Sequence, residues 1–313
     1  MLAVNTEILK NASIDTLPEK NKQESFFSEQ FKLLSEVTKL RITALVSFTT
    51  GLGYILANEG FNINIIYPVL GIFFLACGSA ALNHLQEKKL DLLMDRTKTR
   101  PLPSGKTGNI YYYSVILFFT VLGVLLLLLK TNIPTLSIGL ITYFWYNAVY
   151  TPLKRKSALA VIPGSLVGAL PPLAGWTAAG GDITDFRILY ICFYFFLWQI
   201  PHFWLLLLVY SDDYKKGGFP VLTDIMNIKS LKIMTFLWIV LTFLISTGIP
   251  FVGIISHNSV KIIMLFAGLL LILSGIRFIF SGITRKSVFS MFISINIFTL
   301  LIILLLSIDK III

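Results

Sequence analysis

Nine apolar runs, each about long enough to cross a bilayer, restrict this chain to one class of fold. They cover approximately residues 41–57, 65–82, 111–129, 133–150, 158–179, 188–210, 233–254, 262–280 and 289–308. A hydrocarbon core takes roughly 20 apolar residues per helical crossing. In lipid, every backbone N–H and C=O must find its partner within the segment or in a closed barrel, and long unbroken apolar runs meet that need as helices. The chain is 56% hydrophobic and only 13% charged, so a water-soluble domain would have no interior for most of its apolar side chains. The expected architecture is all-α, a polytopic membrane bundle of nine transmembrane helices.

Twenty-six Lys and Arg against sixteen Asp and Glu give a net charge of +10. Their placement reports topology rather than a nucleic-acid partner. Lys88, Lys89, Arg96, Lys98, Arg100 and Lys106 follow the second run, and Lys154, Arg155 and Lys156 the fourth. Lys215, Lys216, Lys229 and Lys232 follow the sixth, and Arg285 and Lys286 the eighth. The alternate loops hold little beyond Lys130, Arg187 and Lys261. Excess Lys and Arg in short loops marks the cytoplasmic side, so the N-terminus is expected inside and the C-terminus outside. Residues 1–36 read as a polar cytoplasmic tail without the apolar core of a signal peptide. A short amphipathic helix near residues 26–34 would lie on the membrane surface, and residues 37–313 form the membrane domain. Cys77 and Cys192 both fall within apolar runs, which implies no disulfide framework.

Asn83, Glu87, Asp91 and Asp95 recur every fourth residue at the end of the second run. On a helix each such step drifts by only about 40°, so the four side chains share one stripe. Arg96, Lys98 and Arg100 follow at once, and a second acidic pair, Asp212 and Asp213, follows the sixth run. Both clusters belong to the cytoplasmic loops. Mg²⁺ takes oxygen ligands and commonly shares its sphere between carboxylates and substrate phosphates. The six oxygen donors Asn83, Glu87, Asp91, Asp95, Asp212 and Asp213 suit that ion. The basic side chains, with Lys154 and Arg155 after the fourth run, suit a diphosphate. The bland alternative for each cluster is a solvated face of mixed charge. The two clusters each follow the second helix of a four-helix half, so spacing points to a duplicated plan with the ninth run left over.

Two apolar runs carry unusual residues. Trp198-Gln199-Ile-Pro201-His202-Phe203-Trp204 places Gln199 and His202 within a spanning segment, where each needs a partner away from lipid. His202 suits a haem iron or a proton, and equally an interhelical hydrogen bond. In the fifth run Gly164 and Gly168 form a small-residue face for close helix packing, followed by Pro171 and Pro172.

Asn83-x3-Glu87-x3-Asp91, with an acidic motif after the sixth of nine spans, resembles the UbiA-type intramembrane prenyltransferases. Asp95–Gly105, Tyr150–Arg155, Gly168–Trp176, Trp198–Trp204 and Asp212–Tyr214 resemble most closely the branch of that family whose acceptor is haem. The resemblance implies a bacterial cytoplasmic-membrane enzyme that moves the farnesyl group of farnesyl diphosphate to haem B with Mg²⁺, supplying a downstream haem-modifying enzyme. It implies that Asn83, Glu87 and Asp91, with Asp212 or Asp213, organise metal and diphosphate. Arg96, Arg100, Lys154 and Arg155 would hold phosphate oxygens, Arg41 would reach the same pocket from the first span, and His202 would handle haem. Glu87 stands where the wider family has Asp, and Lys216 stands where a second spaced Asp would lie. A quinone-precursor prenyltransferase keeps the same fold with another acceptor. An ion-coupled transporter would instead place its carboxylates near the bilayer midplane, whereas these cluster at one face.

Overall fold

The computed structural model describes residues 19–282 and 284–311, and every regular element among them is helical, with no strand. Helix α1 (Glu19–Val37) covers and extends the expected surface helix; the first eighteen residues of the expected tail lie outside the described residues. Leu33 and Leu34 of α1 pack on a cluster formed by Val37, Ala81, Leu102, Tyr112 and Val115, while Phe31 is exposed. Among the described residues, seven segments are long and apolar enough to cross a membrane. They contain α2 (Leu40–Asn58), α3 (Ile66–Asp91), α4 (Asn109–Lys130) and, beyond two shorter helices, α7 (Phe186–Lys216), α8 (Ile228–Gly248), α9 (Asn258–Phe280) and α10 (Arg285–Ile311).

The fourth and fifth apolar runs are interrupted. Helix α5 (Ile133–Phe144) passes into a π-helical turn, Trp145–Tyr150, and one further turn, Thr151–Leu153. The fifth run is a short Val161–Gly164 turn followed by α6 (Leu166–Ala178). The physical causes are side-chain bonds, mostly across the bundle, and two prolines. Asn147 Nδ2 donates to the Tyr143 carbonyl at 3.0 Å and to Ser79 Oγ at 2.6 Å. Trp145 Nε1 takes the Pro163 carbonyl at 2.8 Å. Pro152 and Pro163 cannot donate at all. Side chains and neighbouring helices thus satisfy carbonyls that an unbroken ladder would have used.

Neighbouring helices pack in sequence, α2 additionally lies against α6, and α10 returns to touch both α7 and α2, closing the bundle. At the α2–α6 crossing the backbones meet directly. A Cβ on Gly53 would strike the Pro172 carbonyl, and one on Gly175 the Thr50 carbonyl. Phe118, Leu237, Phe266 and Ile297 face outward, as expected of a chain whose solvent is lipid.

Candidate active site

Helix α3 delivers Asn83, Glu87 and Asp91 to one buried face, at 1%, 4% and 1% exposure. The stripe stops there. Helix α3 ends at Asp91, and Thr97 Oγ1 caps its last carbonyl at 2.8 Å. Residues 92–100 then fold as tight turns, which carry Asp95 off the helix. The four-residue stripe expected from sequence is therefore a three-residue one.

Three cations meet those three oxygen donors, one apiece. Lys39 Nζ donates to Asn83 Oδ1 at 2.8 Å. Lys154 Nζ lies 2.6 and 2.8 Å from the two Glu87 oxygens. Arg100 Nη1 donates to Asp91 Oδ2 at 2.7 Å. Loss of water, with Arg100 nearby, pulls the Lys39 ammonium down to about 7; a nearby anion would favour its charged form. Asn83 Nδ2 donates to Thr151 Oγ1 at 3.2 Å, and Thr151 in turn to the Tyr146 carbonyl at 2.9 Å. Gln86 Nε2 reaches the Asn147 carbonyl at 3.0 Å, and Arg155 Nη2 reaches the Gln86 carbonyl at 2.5 Å. The π-helical turn is thereby fastened to α3 at several points, consistent with the frequent use of such turns at functional sites.

The second acidic pair does different work. Helix α7 breaks at Tyr210, with φ −118° and ψ 17°. Beyond the break, Asp213 accepts the backbone N–H groups of Asp95 at 2.6 Å and Arg96 at 3.3 Å. Asp95 pairs with Lys98 at 2.6 Å and Lys216 at 2.5 Å. The hydrogen bonds from Lys216 and Lys98 hold its carboxyl down to about 2. The Arg96 guanidinium lies 5.3 Å from the centre of the Tyr210 ring. Asp212 is exposed.

The remaining expected residues lie apart from this cluster. His202 Nδ1 is 2.9 Å from Asn296 Oδ1, and its ring packs on Trp198 and Phe292 between α7 and α10. Gln199 turns toward Gly168 on α6, its Oε1 buried without a hydrogen-bond partner. Arg41 is exposed; Lys39, two residues earlier, occupies the place expected of it. Lys39, Gln86, Tyr146 and Thr151 are the site residues that sequence reasoning missed. Thr151 lay within the Tyr150–Arg155 segment, and Lys39 lay two residues from Arg41, but nothing in the order of those two told which would turn inward.

Among the described residues no three His, Cys, Asp or Glu side chains converge as a preformed metal cage. The donor set nonetheless fits a hard divalent cation that completes its sphere with substrate oxygens. Its donors are oxygens on one helix face, and Asp91 Oδ1 is buried there without a hydrogen-bond partner. Directly beneath opens a cavity of 120 Å³ with Lys39 and Tyr146 among its lining residues. Its walls are otherwise mostly aliphatic, with Ile42, Val46, Ile72, Leu75, Val167 and Pro171 among them.

A membrane helical bundle that joins a cation-ringed carboxylate face to an apolar cavity is built to hold a molecule with a polyanionic head and a hydrocarbon tail. The chain belongs to the UbiA prenyltransferase family, which matches residues 45–302, and it is a prenyltransferase. It is 39% identical over 183 residues to a protoheme IX farnesyltransferase of Geobacter sulfurreducens, covering 58% of this chain and 67% of that one. A protein of the same name from Christiangramia forsetii is 34% identical over 249 residues, covering 79% of this chain and 81% of that one. Among solved structures, a digeranylgeranylglyceryl phosphate synthase shares the fold at a TM-score of 0.73 and 17% identity, with 91% of this chain and all of that one covered. A UbiA homologue from Archaeoglobus fulgidus bound to GPP and Mg²⁺ shares it at 0.64 and 14% identity, with coverages of 88% and 99%.

Proposed function

We propose that this chain transfers the farnesyl group of farnesyl diphosphate to the 2-vinyl group of haem B, with addition of water, giving haem O and diphosphate. The observation that carries the donor half is the Asn83–Glu87–Asp91 face, ringed by Lys39, Arg100 and Lys154 at the mouth of the aliphatic cavity. The acceptor half is supported by the relatives named protoheme IX farnesyltransferase. Asn83, Glu87 and Asp91, with Asp212, would hold Mg²⁺, which supplies charge neutralisation to the departing diphosphate.

In the structure each cation is engaged with its own oxygen donor on α3. On binding the diphosphate, Lys39, Arg100 and Lys154 would exchange those partners for phosphate oxygens, and the freed α3 oxygens would then be available to hold Mg²⁺. Charge developing on the diphosphate is then met by cations already in place, whose reorganisation cost is small. The C–O bond at farnesyl C1 breaks with its electron pair going to the diphosphate. The terminal vinyl carbon bonds to C1, and water adds at the carbon beside the macrocycle with loss of a proton. Aliphatic walls keep water from the farnesyl cation until the C–C bond has formed.

The interrupted fourth and fifth segments, counted with the seven long ones, make nine crossings, and the Lys and Arg distribution favours a cytoplasmic N-terminus and site face. The bacterial relatives favour the inner membrane. Residues 37–313 would form the catalytic membrane domain. Purified chain incubated with haem B, farnesyl diphosphate and Mg²⁺ should yield a more hydrophobic haem on chromatography. Asp91→Asn should lower its formation by about 10²-fold or more, the scale of losing one transition-state charge partner. Undiminished product would remove the metal assignment. Prenylation of a phenolic acid but not of haem would remove the acceptor assignment.

A further inference from the structure

A second cavity, of 80 Å³, opens on the other side of the site. Tyr150 and Lys154 come to it from the end of the fourth segment, Phe203 from α7, and Tyr214 and Phe219 from beyond the Tyr210 break. The two cavities are neighbours through paired residues. Tyr146 lines the first and Tyr150 the second, with ring centres 5.7 Å apart. Lys39 lines the first and Lys154 the second. Those two lysines bind Asn83 and Glu87, one turn apart on the same face of α3. A diphosphate seated on that face therefore has one cavity on each side.

Their chemistry differs. The first is largely aliphatic and matches a branched hydrocarbon chain. The second sets four rings among Ala158, Val161, Leu206 and Leu207: Tyr150 stands 6.5 Å from Phe203, and Tyr214 5.6 Å from Phe219. Lys154 Nζ lies over both the Tyr150 and Phe219 rings, at 5.8 and 5.4 Å. Aromatic walls of this kind offer offset and edge contacts to a flat π-system. Ser157, Tyr150 and Tyr214 bring hydroxyls to its lining, beside the Lys154 ammonium. One wall follows a break in α7 and ends at Gly217 and Gly218, where Gly218 has φ 74°, so that wall has a built-in place to bend.

We propose that this second cavity is the acceptor's seat and that it takes one edge of a planar aromatic macrocycle. The inference rests on the proposed haem reading and adds where the acceptor sits. The hollow accommodates a vinyl-bearing edge rather than a whole macrocycle. The vinyl edge points past Tyr150 toward the donor, and the opposite, carboxylate-bearing edge stays at the rim, toward the exposed Lys156 and toward Lys215, which pairs with Asp224 at 2.5 Å.

The test uses the full chain in detergent, with haem B titrated by absorbance and KM measured for haem and for farnesyl diphosphate separately. Phe203→Leu removes one aromatic wall without touching the carboxylate face. It should weaken haem binding and raise the haem KM roughly three- to tenfold, the scale of a lost aromatic pair, with the farnesyl diphosphate KM unchanged. Ala160→Phe, filling the same cavity, should do so more strongly. Val46→Phe, in the first cavity, should show the reverse pattern. Haem affinity kept by both Phe203→Leu and Ala160→Phe overturns the assignment; should Ala160→Phe fail to fold, Phe203→Leu decides alone. Failure of the unaltered chain to bind or farnesylate haem is a different result: it overturns the haem reading itself, and the inference with it.

Discussion

A non-glycine residue with φ 50° and ψ 47° joins α1 to α2, and its side chain is Lys39. A left-handed backbone costs an L-residue roughly 1–2 kcal/mol, and such strain persists where the surroundings over-determine it. Here it turns the ammonium inward onto Asn83 while Arg41, on regular helix, stays exposed. Two substitutions separate backbone from charge. Lys39→Gly relieves the strained φ and removes the cation; Lys39→Met removes the cation alone. Both should raise the KM for farnesyl diphosphate by about tenfold, the scale of one charge-assisted hydrogen bond of roughly 1.5 kcal/mol. Only Lys39→Gly should gain thermal stability, by about 1 kcal/mol at most. Unchanged KM in both variants would remove Lys39 from the diphosphate site.

Between elements, the loop of residues 92–108 and the segment after the α7 break are joined by the Asp213 carboxylate, which accepts two backbone N–H groups of that loop. The aspartate expected among the metal ligands is thus engaged as a clasp that holds the Arg100 loop over α3. Asp213→Ala should free Lys98, Arg100 and Lys106 to trypsin, with cleavage faster by roughly tenfold, the scale of bonds to a charged acceptor worth about 1.5–3 kcal/mol. Asp212→Asn should leave cleavage unchanged, and equal rates in the two variants would remove the clasp. The contrast measures what sequence could reveal. Residues 41–57 and 65–82 fall within Leu40–Asn58 and Ile63–Asp91, because apolar length alone dictates a lipid-facing helix. The truncated stripe at Asp91 and the π-helical turn at Trp145–Tyr150 were not legible. They depend on Thr97 capping a carbonyl and on Asn147, Gln86 and Trp145 meeting partners distant in sequence. Spacing brought Asn83, Glu87 and Asp91 together correctly, since helical period is local. It could not assign Asp95 and Asp213 their cation and amide partners, which come from across the bundle.

At the scale of the whole molecule, the site and the end of α10 occupy opposite ends of the bundle. Lys39 and Asp91 mark one end of α2 and α3; at the other end of α2, a Cβ placed on Gly60 would lie 3.7 Å from the Lys310 carbonyl, at the close of α10. Asp309 seals that far end, accepting the backbone N–H groups of Ser256 at 2.8 Å and His257 at 3.0 Å from the loop before α9. The proposed nine crossings, an odd number, account for this separation. Were either interrupted segment a re-entrant hairpin, α10 would end on the site face. The Lys and Arg distribution favours one of the two remaining choices: on the proposed topology the basic loops of the site face lie in the cytoplasm. In a chain with Cys77 and Cys192 changed to alanine, Lys106→Cys and Ile311→Cys offer exposed thiols at the two ends. An impermeant maleimide applied to intact cells or right-side-out vesicles should label Ile311→Cys at once, and Lys106→Cys only after the membrane is opened. Labelling of both from one side would overturn the nine-crossing topology, and the reverse order would place the carboxylate face outside the cell.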